Sequence, residues 1–280
     1  MQQVYKTSQN LRSYGRQAAY WRKHGVNITF NKLRTGKKPG LNLNLLNPIA
    51  VREHFKLAGF EYGNWLSQEE RANWVWATAV ALKDLERIIG IKPAGLNGDL
   101  AIAFGARGRG GSAPAVAHYE PSTMFINLTK KYGINSLAHE YGHALDHYFG
   151  NYYDQDPNSQ FLSYGRSINW SMHPSKFTAN HKLRKAMTDV IHTAMVGKDG
   201  RSTAYGKRLA GRKAYWLRRT EIFARIFEQY VQYKLKQNGI ENKFLTKLKY
   251  EGSVYMKPAE LKKIIPKMDY LMLEMRKALK

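Results

Sequence analysis

A short segment rich in histidine and glutamate carries the clearest chemical signal in the sequence. Residues 136–150 read SLAHEYGHALDHYFG and place His139, Glu140 and His143 in the order H-E-x-x-H. Residues four apart on a helix lie one turn apart on the same face, so both imidazoles can reach one ion. Glu140 stands beside the first histidine, where its carboxylate can take a proton from a metal-bound water. The pattern predicts a hydrolytic zinc site, Zn(2+), with Glu140 as the general base.

Such a site needs a third protein ligand, because a catalytic zinc ion uses three protein ligands and leaves one position to water. Asp146 shares the helix face of the two histidines, either as a ligand or as an acceptor that orients an imidazole. His147 lies at the edge of that face. The metzincin pattern requires a histidine where the sequence has Phe149, so that class is excluded. The chain contains no cysteine, which excludes thiolate ligands.

Glu221 is the favoured third ligand. It lies in RRTEIFARIFEQYV, whose apolar side chains recur at helical spacing and predict a buried helix. An unpartnered carboxylate would be costly on a buried helix. Ala224 is small enough to let two helices approach closely, and a glutamate on a separate helix is the arrangement of glutamate-ligated zincins. Glu228, two turns further on, is the second choice.

Two alternatives to a catalytic site stay open: a helix whose histidines are solvated or hydrogen-bonded in the core, and a metal site without catalysis. Substrate contacts are open as well. The segment AVAHYEP would be a sheet edge that pairs with a peptide backbone. His118 would then approach the metal, polarise a carbonyl, or have a structural role. Oxyanion stabilisation is assigned to no single residue among Tyr119, Tyr164, His173, Tyr215 and Arg225.

The elements that position these residues follow from periodicity and capping. SQEE, residues 67–70, has the pattern of a capping box and predicts a helix that ends near Gly90. Strand-like segments follow at 100–104, in AVAHYE and in TMFINLT. Further helices are predicted at 135–149, 179–196, 213–236 and after Pro258, with a long loop at 151–175. We therefore expect an α+β fold in which a small mixed or antiparallel sheet packs on helices, one of them the H-E-x-x-H helix.

The charge is strongly basic, with 45 basic and 21 acidic side chains and a net charge of +24. Such an excess favours a polyanionic partner, DNA or RNA, with anionic membrane surfaces second. Residues 1–48 are expected to form a basic arm and residues 49–280 the folded domain. The arm residues expected to contact nucleic acid are Arg12, Arg16, Arg22, Lys23, Lys37 and Lys38. Aromatic residues among them would stack on single-stranded bases, or pack on the domain.

The glycine-rich stretch GARGRGGSAP lacks the Gly-Lys-Ser/Thr ending of a P-loop, so nucleotide binding is not expected there. Its Arg107 and Arg109 would contact phosphate, or lie in a plain rim loop. The first residues lack the apolar core of a signal peptide, and no stretch approaches the roughly 20 apolar residues of a membrane span. We expect a protein without a membrane-spanning segment in the cytoplasm of a host cell or packaged in a virion.

The sequence resembles the large polyvalent protein-associated domain family, zincin-like domains of phages and conjugative elements. The matching stretches are GFEYGNW, LNGDLAIAFGARGRGG, AHYEP, FINLTKKYGINSLAHEYGHALDHYFG and TEIFARIFEQYV. The resemblance covers roughly residues 50–235 and leaves out the basic arm. It implies a metallopeptidase-like fold, a protein or peptide substrate and entry into a host cell with mobile DNA. It also implies roles for His139, Glu140, His143 and Glu221, and draws attention to His118 and Tyr119.

Overall fold

A computed structural model of the chain describes residues 8–42, 45–107, 116–130, 132–154, 160–164 and 182–280. The chain divides into two units. Unit 1 comprises Met1–Glu140 and Gln232–Lys247, and unit 2 comprises Tyr141–Val231 and Leu248–Lys280. The described helices are α1 Ser8–His24, α2 Pro48–Phe55, α3 Gln68–Ile89, α4 Leu137–Phe149, α5 Lys182–Met195, α6 Ala204–Ala210, α7 Arg219–Gln237 and α8 Pro258–Ala278. The described strands are β1 Arg34–Gly36, β2 Gly59–Tyr62, β3 Ala101–Phe104, β4 Ala117–Glu120, β5 Phe125–Leu128 and β6 Ile240–Asn242.

A four-stranded mixed sheet forms the centre of unit 1, in the order β2-β3-β5-β4. Strands β2, β3 and β5 run parallel, and β4 pairs antiparallel with β5 along the edge. Both central strands, AIAF and FINL, are buried along their whole length. Continuous apolar runs are typical of strands that are covered on both faces. The expected α+β class and the mixed sheet are therefore confirmed.

Helix α3 begins and ends where its capping residues predict. The Ser67 side chain accepts a hydrogen bond from the backbone N–H of Glu70, and the Glu70 carboxylate accepts one from the backbone N–H of Ser67. Gly90 closes the helix at φ 69°, a left-handed conformation that suits glycine. The helix buries most of its length, including Trp74, Val75 and Leu82.

The described N-terminal residues, from Ser8 onward, belong to unit 1. Helix α1 buries Tyr14, Ala18 and Trp21. The Tyr14 hydroxyl donates to the carbonyl oxygen of Phe60 at 2.6 Å and accepts from its backbone N–H at 2.8 Å. The spacing i, i+4, i+7 gives this helix one apolar face, which the surrounding basic residues conceal in the sequence.

A buried ion pair fixes the segment that follows α1. The Arg34 guanidinium donates to both carboxylate oxygens of Asp84, at 2.7 and 2.9 Å, and Asp84 is fully buried. The side-chain amide of Asn242 donates to the same carboxylate at 3.0 Å. Strand β1 pairs antiparallel with β6 beside this cluster, so a sequence-distant strand completes the N-terminal part of unit 1.

Unit 2 is helical in its described part. Helix α5 packs against α8, which begins at Pro258. The Tyr230 hydroxyl on α7 donates to Asp269 on α8 at 2.7 Å. Helix α7 begins at Arg219, later than predicted, because Ala214–Leu217 forms a separate 3-10 turn. Helix α4 ends at Phe149 and continues as a π-helical turn, Gly150–Asp154.

The long loop predicted at 151–175 lies largely outside the described residues, and so does the start of the helix predicted at 179–196. The division into units falls within α4, between Glu140 and Tyr141, so this helix contributes residues to both. Among the described helices, none combines the length and the apolar character that crossing a bilayer requires.

Candidate metal centre

Helices α4 and α7 bring together the three residues expected to hold a metal ion. His139 and His143 lie one turn apart on α4, and Glu221 lies in the first turn of α7. Each offers one ligand atom, and these atoms all lie within 4.8 Å of one another. Two imidazoles and a carboxylate are a donor set that suits zinc.

The close approach of α4 and α7 depends on small residues. A Cβ atom added to Gly142 would lie 3.2 Å from the Cα of Ala224 and 3.2 Å from Cδ1 of Phe227. Tyr141 and Phe227 stack beside this point with ring centroids 6.3 Å apart. Ala224 is small, as the sequence analysis anticipated, whereas the need for Gly142 was missed. Its signal was a glycine inside a helix, which is unfavourable unless close packing requires it.

The carboxylate of Glu221 faces two different groups. Its Oε1 lies 3.4 Å from Nε2 of His143, and its Oε2 lies 3.6 Å from Nη1 of Arg225. Arg225 is 1% exposed and also donates from Nη2 to the carbonyl oxygen of Trp216 at 2.6 Å. Its guanidinium lies over the Trp216 ring, 5.3 Å from the centroid. One carboxylate oxygen of Glu221 therefore faces the guanidinium of Arg225, and the other faces the histidine.

The measured spacing fits a shared ion better than a direct hydrogen bond. Two ligand atoms bound at about 2.1 Å in a tetrahedral arrangement lie about 3.4 Å apart. Nε2 of His143 and Oε1 of Glu221 are separated by 3.4 Å, which exceeds the range of an ordinary N–H···O bond, about 2.7–3.2 Å. This pair of ligand atoms is therefore spaced as two ligands of one ion would be.

Glu140 follows His139 on α4 and is 6% exposed. It is not one of the three residues His139, His143 and Glu221, which form the ligand group. A general base acts on the water and does not itself bind the metal, so this position suits the role predicted for Glu140. Glu228, the second choice for a ligand, is also outside that group. Glu228 accepts a hydrogen bond from the hydroxyl of Tyr255, whose pKa is raised by burial first and by this carboxylate second. The carboxylate of Glu228 is thus engaged by the hydroxyl of Tyr255.

Asp146 lies on the histidine face of α4 but does not join the ligand group. One of its carboxylate oxygens accepts from the backbone N–H of Ser163 at 2.7 Å. Burial raises the pKa of Asp146 to about 6, although hydrogen bonding from Ser163 and the charges of His143 and Arg219 act in the opposite direction. Asp146 therefore ties α4 to the backbone at Ser163.

Two buried arginines surround Asp146, and the sequence analysis missed both. Arg184 on α5 is 3% exposed, and burial lowers its pKa to about 10 while the charge of Asp146 raises it. Burial likewise lowers the pKa of Arg219, and Asp146 opposes that shift. Nothing in the local pattern distinguishes these arginines from solvated ones. His147, the other early candidate, is also outside the ligand group; burial lowers its pKa, and a hydrogen bond with Gln160 raises it.

Among the described strands, the one predicted to be a sheet edge lies at the edge, since β4 pairs with β5 alone. His118 on β4 is not in the ligand group, and its Nε2 lies 3.1 Å from Oε1 of Glu120. Tyr119, next on the strand, is half-buried. Arg107 forms ion pairs with Glu61 and Glu120, so it is engaged within unit 1.

The remaining candidates for oxyanion stabilisation divide by position. His173 lies outside the described residues, and so does Arg109, which was expected to contact phosphate or to lie in a plain rim loop. Tyr215 is 45% exposed and packs on Trp216. Arg225 forms an ion pair with Glu221, a member of the ligand group, at 3.6 Å.

The fold and this site define an α+β protein with a two-histidine, one-glutamate candidate metal centre on two packed helices. Residues 208–279 match the model of a protein family described as large polyvalent protein-associated domain 1. This match includes TEIFARIFEQYV and therefore Glu221, whereas the other stretches of the resemblance lie outside the matched residues. No curated protein and no solved structure matches the chain.

Replacing Gly142 by valine is expected to weaken zinc binding about 10- to 100-fold without removing any ligand, because the added methyl groups separate α4 from α7. Equilibrium titration of zinc with a competing chelator measures this. Gly15→Val is the matched control, since a Cβ at Gly15 of α1 meets only Ile49, at 4.0 Å. Equal zinc affinity in the Gly142→Val protein and the wild type would show that close helix contact is not required.

Proposed function

We propose that the protein is a zinc-dependent metallopeptidase of a phage or mobile genetic element, acting as an endopeptidase. The observation that carries the proposal is the convergence of His139, His143 and Glu221, with Glu140 directly beside the first ligand. A structural metal site commonly closes all four positions with protein ligands, whereas three protein ligands leave room for water. Within the described residues the group has three members.

The chemistry divides between the ion and the side chains. Zinc, when bound, polarises the scissile carbonyl and lowers the pKa of a water molecule toward about 7. Glu140 takes the proton of the attacking water and then passes it to the leaving amine. The positive charge of Arg225 attracts Oε2 of Glu221, while Oε1 lies on the side of His143.

A peptide substrate is supported by the edge strand of unit 1. An extended peptide can add to an exposed strand through backbone hydrogen bonds, and β4 has no further strand beyond it in the described sheet. Backbone recognition of this kind leaves sequence preference to side-chain pockets. The cleaved bond would then lie within a chain, which favours an endopeptidase over an enzyme that recognises termini.

The direct test uses the full chain loaded with one equivalent of zinc and incubated with fluorescein-labelled denatured casein and a mixed peptide library. We expect cleavage that a chelator stops and added zinc restores, with internal cut sites identified by mass spectrometry. If the zinc-loaded protein leaves both the casein and the library intact, the peptidase proposal fails even when zinc binding is normal.

A second function, nucleic-acid binding, is favoured by one observation on α1. The helix buries one face and leaves Arg12, Arg16, Arg22 and Lys23 exposed, and it contains no acidic residue. Lys37 and Lys38 are also exposed, in the loop after β1. A helix whose exposed charged side chains are all positive can bind along a phosphate backbone. The two functions are compatible, since the α1 face and the ligand group share no residue.

The charge-reversed variant Arg12→Glu/Arg16→Glu/Lys23→Glu is expected to bind DNA more weakly, with a shallower dependence of affinity on salt. Each lost phosphate contact lowers the slope of log affinity against log salt by about 0.9. Fluorescence anisotropy with a labelled duplex at several salt concentrations measures both. The matched control reverses three exposed lysines on other helices, Lys185, Lys207 and Lys236. Equal losses in the two triple variants would contradict a binding face on α1.

A further inference from the structure

Unit 2 contains a cavity of about 820 Å³ that the metal centre does not use. It is lined by residues of α5, α6 and α8 and by the segments that lead into α6 and α8. Cavities of about 300–1,000 Å³ are typical of sites for small organic ligands. Its volume therefore suits a ligand considerably larger than a simple ion.

One part of the cavity wall is apolar. Tyr205, Met256 and Ile264 line it, and each is buried. The Tyr205 hydroxyl donates to the carbonyl oxygen of Val254 at 3.1 Å, which fixes the ring. An apolar wall with a fixed aromatic ring favours a ligand with a flat, weakly polar portion.

The other part of the lining is cationic. Lys198, Lys263 and Lys267 line the cavity, and all three are exposed. Lys263 and Lys267 lie four residues apart on α8 and therefore share one face. Within the part of the chain that the structure describes, none of the three forms an ion pair. Three like charges around one opening favour an anion that neutralises them.

Among the described residues of the lining, the single carboxylate is already neutralised. Glu260 accepts two hydrogen bonds from the Arg208 guanidinium, at 2.6 and 2.8 Å. This pairing is also the largest influence that lowers the pKa of Glu260, so the carboxylate stays charged and paired. The lysines consequently determine the charge that a ligand meets.

The segment that carries Lys198 is held in place by backbone pairing. Val196 and Ser202 form an antiparallel bridge, and the N–H of Gly197 donates to the carbonyl oxygen of Arg201 at 2.7 Å. The side chain of Asp199 accepts from the backbone N–H of Arg201 at 3.1 Å. A closed turn of this kind presents Lys198 to the cavity at a defined position.

We propose that this cavity binds an organic phosphate of the size of a nucleotide. The phosphate groups lie among Lys198, Lys263 and Lys267, and the flat portion lies against the apolar wall. The site is independent of the proposed peptidase activity, because it shares no residue with the ligand group.

Isothermal titration of the full chain with ATP, at low salt and without divalent metal, tests the proposal. We expect saturable binding of one molecule per chain and about tenfold or greater weakening in Lys263→Ala/Lys267→Ala. The matched control is Lys262→Ala/Lys236→Ala, which removes the same charge from exposed positions that do not line the cavity. The control is expected to bind ATP with nearly wild-type affinity.

A third variant separates the cavity from general electrostatics. Ala204→Trp places a large side chain at an exposed lining position without a change of charge, and it is expected to weaken ATP binding as well. Inorganic phosphate should compete with ATP only at far higher concentration, because it lacks the flat portion. Equal weakening in both lysine pairs, unaltered binding in Ala204→Trp, or no saturable binding by the wild type would each overturn the proposal.

Discussion

Glu140→Gln is expected to reduce peptide hydrolysis by about 10²- to 10⁴-fold while zinc remains bound with wild-type affinity. Glutamine is nearly the same size as glutamate but cannot accept the proton of the attacking water, so the loss falls on the general-base step. Because Glu140 is outside the ligand group, the substitution leaves all three ligands in place. The rate of casein cleavage and the zinc content, measured on the same preparation, check both halves of this prediction.

The control for Glu140→Gln is Glu228→Gln, which makes the same chemical change on a buried glutamate outside the ligand group. We expect this variant to cleave at close to the wild-type rate when its fold is intact. Full turnover in Glu140→Gln would remove Glu140 from the mechanism. Loss of zinc in that variant would instead indicate that Glu140 contributes to the metal site.

Glu221→Gln is expected to weaken zinc binding by about 10²-fold or more, because a neutral amide replaces the only anionic ligand of the group. His143→Ala should weaken binding similarly, since it removes the imidazole that faces Glu221 at 3.4 Å. Competition titration with a chromogenic chelator measures these affinities. Thermal unfolding with and without zinc provides a second readout, because an ion that binds only the folded state raises the unfolding temperature.

Glu228→Gln again provides the comparison, because Glu228 lies two turns from Glu221 on the same helix and is also buried. The expected contrast is strong weakening at Glu221 and nearly unchanged zinc affinity at Glu228. If both variants bind zinc as tightly as the wild type, the carboxylate of α7 is not a ligand. The peptidase proposal would then lose its third protein ligand, although the two histidines would remain.

The sequence points to the three members of the candidate metal centre because each of them has a local signal. His139 and His143 are set by helical spacing, and Glu221 by a polar residue on a helix with a dense apolar flank. The capping box at Ser67 and Glu70 is equally local, which explains why the start of α3 is predicted correctly. Features whose pattern lies within a single helix or strand can be predicted from the sequence.

Features that depend on contacts between distant segments are harder to read. Helix α1 was predicted to belong to a basic arm. Three of its apolar residues, Tyr14, Ala18 and Trp21, lie among basic residues in the sequence, and only the structure shows that they are buried. The pairing of β1 with β6 joins segments about two hundred residues apart, and neither strand has a signal of its own. Arg225 resembles a solvated arginine in the sequence, yet it is 1% exposed and forms an ion pair with Glu221.

Asp146 illustrates the limit of face assignment within a helix. Its position places it near the histidines, and the charge of His143 is one of the influences that lower the pKa of Asp146. A hydrogen bond from the Ser163 backbone nevertheless fixes its carboxylate outside the ligand group. Ser163 lies seventeen residues further along the chain, so helical spacing within α4 cannot predict this hydrogen bond.

Anomalous diffraction at the zinc absorption edge, from crystals of the full chain grown with one equivalent of zinc, measures the position of the ion itself. We predict one strong peak that lies about 2.0–2.2 Å from an imidazole nitrogen of His139, from Nε2 of His143 and from a carboxylate oxygen of Glu221. A zinc peak held by other side chains, with these three left without an ion, would contradict the account.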